Sequence, residues 1–105
     1  MSVKEYKTLL KRAYDEFIID RSRFIGHGFP VRNEEEALDL LAEMRKTYSD
    51  ASHNCYAYII GENKGVMRYS DDGEPGGTAG KPIMQVLINR DVTDCLVVEI
   101  GRAHV

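Results

Sequence analysis

Little in this 105-residue chain points to a membrane, a metal or a disulfide. No apolar stretch approaches the roughly 20 residues that a bilayer span requires. Only two cysteines are present, Cys55 and Cys95, and they lack C-x-x-C spacing. A disulfide or zinc framework is therefore not expected, and a reducing, cytoplasmic setting fits. The opening MSVKEYKTLLKRAYDEF is charged throughout without an uninterrupted apolar core, so no secretory leader is expected. Repeats and low-complexity tracts are absent. So is a strong basic excess: 14 Lys and Arg against 17 Asp and Glu give a net charge of −3, unlike a protein that coats DNA indiscriminately. What is present, 43% hydrophobic and 30% charged residues, is the composition of one ordinary globular domain with a modest core.

The charge is unevenly placed. Residues 1–32 hold seven Lys or Arg against four Asp or Glu, net +3, whereas residues 33–105 hold seven against thirteen, net −6. Lys4, Lys7, Lys11, Arg12, Arg21 and Arg23 could form a local basic patch or simply a solvated face. Tyr6, Leu9, Leu10 and Ala13 have helical spacing in a short lysine-rich stretch, which leaves that segment ambiguous. Residues 16–20 and 23–29 carry β-branched and aromatic side chains around a polar break and read as two paired strands, the second ended by Pro30. Helix 33–47 follows, with Asn33 as N-cap, Glu36 completing a capping-box-like pair, and Ala37, Leu40, Leu41 and Met44 forming one apolar stripe. Glu34 to Glu36 and the pair Arg45-Lys46 suit the two helix ends. Strands 55–60 and 66–69 form a hairpin around a Gly61–Gly65 turn, residues 78–89 look helical, and 95–98 is a final apolar strand. This order predicts an α+β fold, a mixed sheet with two helices on one face.

The densest chemistry lies in Ser70-Asp71-Asp72-Gly73-Glu74-Pro75-Gly76-Gly77-Thr78-Ala79-Gly80-Lys81-Pro82: three carboxylates, four glycines, two prolines and a lysine in thirteen residues. Glycine and proline in this density exclude a buried strand or helix interior, leaving an ordered loop that leads into a helix. Amides of Gly76, Gly77 and Gly80 near a helix start, with Lys81, could converge on an anion. It is not a Walker loop, because prolines stand where that pattern needs Gly and Ser or Thr, and nucleoside-triphosphate hydrolysis is disfavoured. Nor does the acidic run meet EF-hand spacing. Asp71, Asp72 and Glu74 are read first as loop scaffolding, one of them pairing with Arg68. His53 and Cys55 share a strand face with no third orienting group in evidence, so they are read as structural rather than as a nucleophile and its base. Tyr48, Tyr56, Tyr58 and Tyr69 could stack on unpaired bases or pack in the core; the sequence leaves both open. The candidate binding residues are His53, Arg68, Ser70, Asp71, Asp72, Glu74, Gly76, Gly77, Thr78, Gly80 and Lys81. No catalytic residue, metal or cofactor is assigned.

Two segments carry a resemblance. Asp50, Ala51, His53, Cys55 and Ala57, then Ser70 to Pro82, match the pattern D-A-x-H-x-C-x-A followed by S-D-D-G-E-P-x-G-T-A-G-x-P, and Ser22 to Ile25 match S-R-F-I. Over about residues 6 to 98 the chain resembles the N-terminal domain of the IMPACT family. The resemblance implies an extended N-terminal segment, the fold of the second domain of small-subunit ribosomal protein five, and a cytoplasmic, non-enzymatic regulator associated with translation. Eukaryotic members carry an extra N-terminal interaction domain and dampen the amino-acid-starvation response. Because the match begins near Met1, the chain resembles the bacterial, YigZ-like branch, where a second domain follows. The implied partners are RNA, the ribosome or a translation-associated protein, with no membrane. The rival reading is a hydrolase or phosphate-handling enzyme using the same loop. Residues 1–98 are read as a partial domain, expected to self-associate for want of its remaining cover. Glu99 to Val105 can be encoded by a common sequencing-adapter sequence, so the natural sequence is expected to stop near Val98; the tail is read as an artefact, left out of fold reasoning, and His104 is given no function.

Overall fold

Local sequence sets the first helix. Asn33 adopts extended backbone and its Oδ1 accepts the Glu36 amide at 2.8 Å, which starts α1 (Glu34–Thr47). Glu36 does not close the capping box; its carboxylate accepts from Arg32 Nε at 3.3 Å. Ala37, Leu40, Leu41 and Met44 are all buried along one stripe. In the computed structural model, which describes residues 12–19, 22–51, 53–72 and 80–103, α1 is accompanied by β1 (Ala13–Ile19), β2 (Ser22–Pro30), β3 (His53–Ile60), β4 (Val66–Ser70), α2 (Gly80–Asn89) and β5 (Cys95–Ala103). The ambiguous stretch beginning at Tyr6 lies outside the described residues up to residue 11, and its Ala13 opens β1.

The five strands are ordered β1-β2-β5-β3-β4, and every pairing is antiparallel. A mixed sheet was expected from the order of strands and helices. The strands β2 and β3 do run the same way, but β5 enters between them and opposes both, so no parallel pair forms.

The helices lie on opposite faces rather than on one. Tyr58, Ile60, Leu96, Val98 and Ile100 pack with the α1 stripe, together with Ile25 and Phe29. Ala57, Ile59 and Cys95 pack with Met84 and Leu87 of α2. Successive strand residues point to opposite faces, so these interleaved sets assign one face to each helix. Central strands covered on both sides become nearly continuously apolar, as Cys55 to Ile60 and Cys95 to Val98 are.

Strand β5 does not stop at Val98. It pairs with β2 through Ala103 and with β3 through Gly101, and Ile100 is fully buried in the α1-side core. Residues 99–103 are thus part of the sheet. At the far end from the loop, Asp94 Oδ1 accepts the Gly61 amide at 2.8 Å, and Thr93 Oγ1 donates to the Gly61 carbonyl at 2.6 Å. These bonds tie the β3–β4 turn to the approach of β5.

Candidate functional site

Strand β3 begins before its ladder with β4 does. Its Tyr56 pairs with Ser70, so His53, Asn54 and Cys55 run on past the end of β4 and meet the next two residues of the chain, Asp71 and Asp72. Each of the three makes a bond there. Cys55 Sγ lies 3.3 Å from the Asp71 carbonyl, the Asn54 amide donates to Asp72 Oδ2 at 2.8 Å, and His53 Nδ1 lies 3.0 Å from the Asp72 carbonyl. A carbonyl only accepts, so Nδ1 of His53 carries a hydrogen. The two motifs singled out in the sequence are therefore one structure.

Asp72 is held from four sides. Its Oδ1 accepts from Arg45 at 3.3 Å, its Oδ2 from Asn54, its amide donates to Ser70 Oγ at 3.0 Å, and its carbonyl takes His53. Its φ of 48° is left-handed, a conformation that Asp tolerates better than most residues. Asp71 reaches the other way. Its Oδ1 accepts the amide of Gly80, the first residue of α2, at 2.6 Å. A carboxylate at that position meets the positive end of the helix. The anion cradle anticipated at this helix start is thus occupied, at Gly80, by the protein's own carboxylate.

Gly80 has no room for a side chain. A Cβ there would lie 2.5 Å from the carbonyl oxygen and 2.7 Å from the carbonyl carbon of Ser70. The helix start rests directly on the last residue of β4. Lys81, next in the chain, is exposed.

Arg68 pairs with neither Asp71 nor Asp72, the described carboxylates of the loop. Its place on β4, opposite Tyr58, turns it to the α1 face, where Nη1 donates to the Met67 carbonyl at 2.9 Å and Nε lies 3.9 Å from Glu34. Among the described residues, Arg45 is a cation that reaches the loop, at Asp72, and sequence reasoning had assigned it only to the helix end. Nothing local marks it, because its partner is 27 residues away. Asn54 was also missed; it is buried, and its side-chain oxygen has no partner among the described residues. Glu74, Gly76, Gly77 and Thr78 lie outside the described residues.

The four tyrosines do not form one platform. Tyr58 is buried and donates to Glu34 at 2.6 Å; burial, then that bond and charge, raise its pKa. Tyr56 stacks on Tyr58 with centroids 6.0 Å apart, Tyr48 Oη lies 2.9 Å from His27 Nε2, and Tyr69, half exposed, is on the α2 side. Both thiols are buried. Burial, and secondarily the charge of Asp94, push the Cys95 thiol up to about 11, which keeps it protonated and unreactive. Among the described residues no three His, Cys, Asp or Glu side chains are grouped as metal ligands are, and no helix is long and apolar enough to cross a membrane.

An antiparallel sheet between two helices, with one strand start stitched to an acidic turn, defines the class to which comparison then gives a family. The model of the Impact N-terminal domain matches residues 20–101, and the chain belongs to that family. It is 44% identical over 94 residues to IMPACT family member YvyE of Bacillus subtilis (strain 168), covering 89% of this chain and 43% of that protein. Against IMPACT family member YigZ of Escherichia coli (strain K12) it is 34% identical over 84 residues, covering 78% and 41%. The chain thus spans about two fifths of the length of these curated relatives. A crystal structure described as that of a hypothetical protein superposes with a TM-score of 0.83 at 31% identity, over 88% of this chain and 46% of that one. The two-domain translational regulator Yih1 shares the fold, with a TM-score of 0.57 at 21% identity, over 98% of this chain and 40% of that one.

Proposed function

We propose that this chain is a non-enzymatic binding module of a cytoplasmic translation regulator, and that it engages RNA, the ribosome or a translation-associated protein through the Ser70–Pro82 loop. The observation that carries this reading is the use to which the two aspartates are put. Asp72 spends both oxygens on Arg45 and the Asn54 amide, and Asp71 spends one on the Gly80 amide. Carboxylates so engaged hold a loop for presentation; general acid–base work needs a carboxylate within reach of a substrate proton. Membership of the Impact family, and the fold shared with a protein described as a translational regulator, support the translational setting.

Binding and turnover separate the two classes. The chain should co-sediment with ribosomes and lose affinity steeply as salt rises. It should release no phosphate from small phosphate esters. Turnover that Asp71→Asn or Asp72→Asn abolishes would replace the binding reading with the hydrolase one.

A further inference from the structure

A second surface lies on the α1 side of the β1–β2 hairpin. Tyr14 and His27 face each other across the hairpin, their rings edge to face with centroids 5.1 Å apart. The His27 ring stacks on Phe29 at 5.8 Å with only 8° between planes, and Tyr48 closes the group at 5.6 Å from His27. Arg12 sits over Phe29 at 5.1 Å. Phe29 is buried, but Tyr14 is 58% exposed, so the rings rise from the core to solvent as a stair with a guanidinium beside it. The described stretches that carry most of the cluster, 12–19 and 22–32, hold three arginines against two carboxylates.

We propose that this stair binds unpaired RNA, with a base stacked on Tyr14 and a neighbouring phosphate held by Arg12. Two features select that ligand. An exposed ring backed by other rings offers a flat, rigid face to a base, and any base has a matching face. An adjacent cation suits the phosphate that every base carries. An acidic peptide would use the charge and leave the rings idle. The choice of RNA over DNA rests on the translation reading above; the stacking surface itself does not. Tyr48 stands three residues after Arg45, which pairs with Asp72, so the C-terminal end of α1 adjoins both the stair and the loop.

The test is fluorescence anisotropy of the 105-residue chain with a labelled single-stranded RNA dodecamer at 50 mM and 200 mM salt. Tyr14→Ala should weaken binding roughly five- to hundred-fold, the range of one lost stacked base. Tyr14→Phe should bind like the parent, and thermal melts of both variants should match it. Arg12→Gln should weaken binding and flatten the salt dependence by about one phosphate's share. A paired RNA competitor should displace poorly, since its bases are already stacked. The proposal is overturned if the parent shows no binding at 50 mM salt, or if Tyr14→Ala and Arg12→Gln bind as the parent does. Equal binding of labelled polyglutamate would also overturn it, and tighter binding of a DNA dodecamer would remove the assignment to RNA. Lys81→Ala distinguishes the two surfaces. If it abolishes ribosome association while Tyr14→Ala leaves RNA affinity untouched, the stair fails and the loop reading stands; the opposite pair of results sinks the loop reading alone.

Discussion

Both carboxylate oxygens of Asp72 are engaged, and removing them leaves the amide of buried Asn54 without its acceptor and Arg45 without its partner. An unsatisfied buried donor costs about 1–3 kcal/mol. Asp72→Ala should lower the unfolding free energy by that order, read as a lower urea midpoint at unchanged slope. Gly80 makes a sharper case. A methyl group there would overlap the Ser70 carbonyl at 2.5 Å, whereas one at Gly65 meets only the side-chain oxygen of Asn63 at 3.1 Å. Gly80→Ala should therefore destabilise by about 1–3 kcal/mol or more, and Gly65→Ala by clearly less, in parallel thermal melts. His27 gives a pH signature. Burial first, then the charge of Arg12, lower its pKa below the ordinary 6.5. The unfolded chain then takes up the proton more readily than the folded one, so stability is complete above about pH 6.5 and declines as pH falls toward the folded value. Denaturant melts between pH 7.5 and 5.5 should show that decline in the parent and a flatter profile in His27→Gln.

Among the elements, α1 was legible almost to the residue because its cap, charges and apolar stripe are all local. Asn33→Ala should cost it about 1 kcal/mol. The hairpins β1–β2 and β3–β4 were legible for the same reason, each having its strands close in sequence. The helix faces were not. Tyr58 and Ile60 belong to one core and Ala57 and Ile59 to the other, and a run that is apolar on both sides does not say which helix covers which side. The path of β5 was equally hidden, because its neighbours β2 and β3 are set by long-range pairing. Its extent past Val98 has a direct test. Ile100 is fully buried, and Ile100→Ala should cost about 2–5 kcal/mol. A neutral effect would mean that residues 99–103 add nothing to the core.

At the scale of the whole molecule, the motif pair around His53 and Asp72 was visible in the sequence, but not that each half completes the other. Spacing can show that Asp50 to Ala57 and Ser70 to Pro82 both carry chemistry-bearing residues. It cannot show that β3 outruns β4 by three residues and so meets the acidic turn, nor that Arg45 reaches across from another layer. What results is a loop anchored at both described ends, by Asp72 before it and by the Asp71–Gly80 bond after it. The central proposal is that this loop is the surface that engages the translation machinery. The most direct measurement is ribosome co-sedimentation of the parent beside Lys81→Glu and Lys46→Glu, which make the same charge change at exposed positions, one beside the loop and one on α1. The account predicts that Lys81→Glu loses association while Lys46→Glu retains it; equal retention by both, or equal loss, would contradict it.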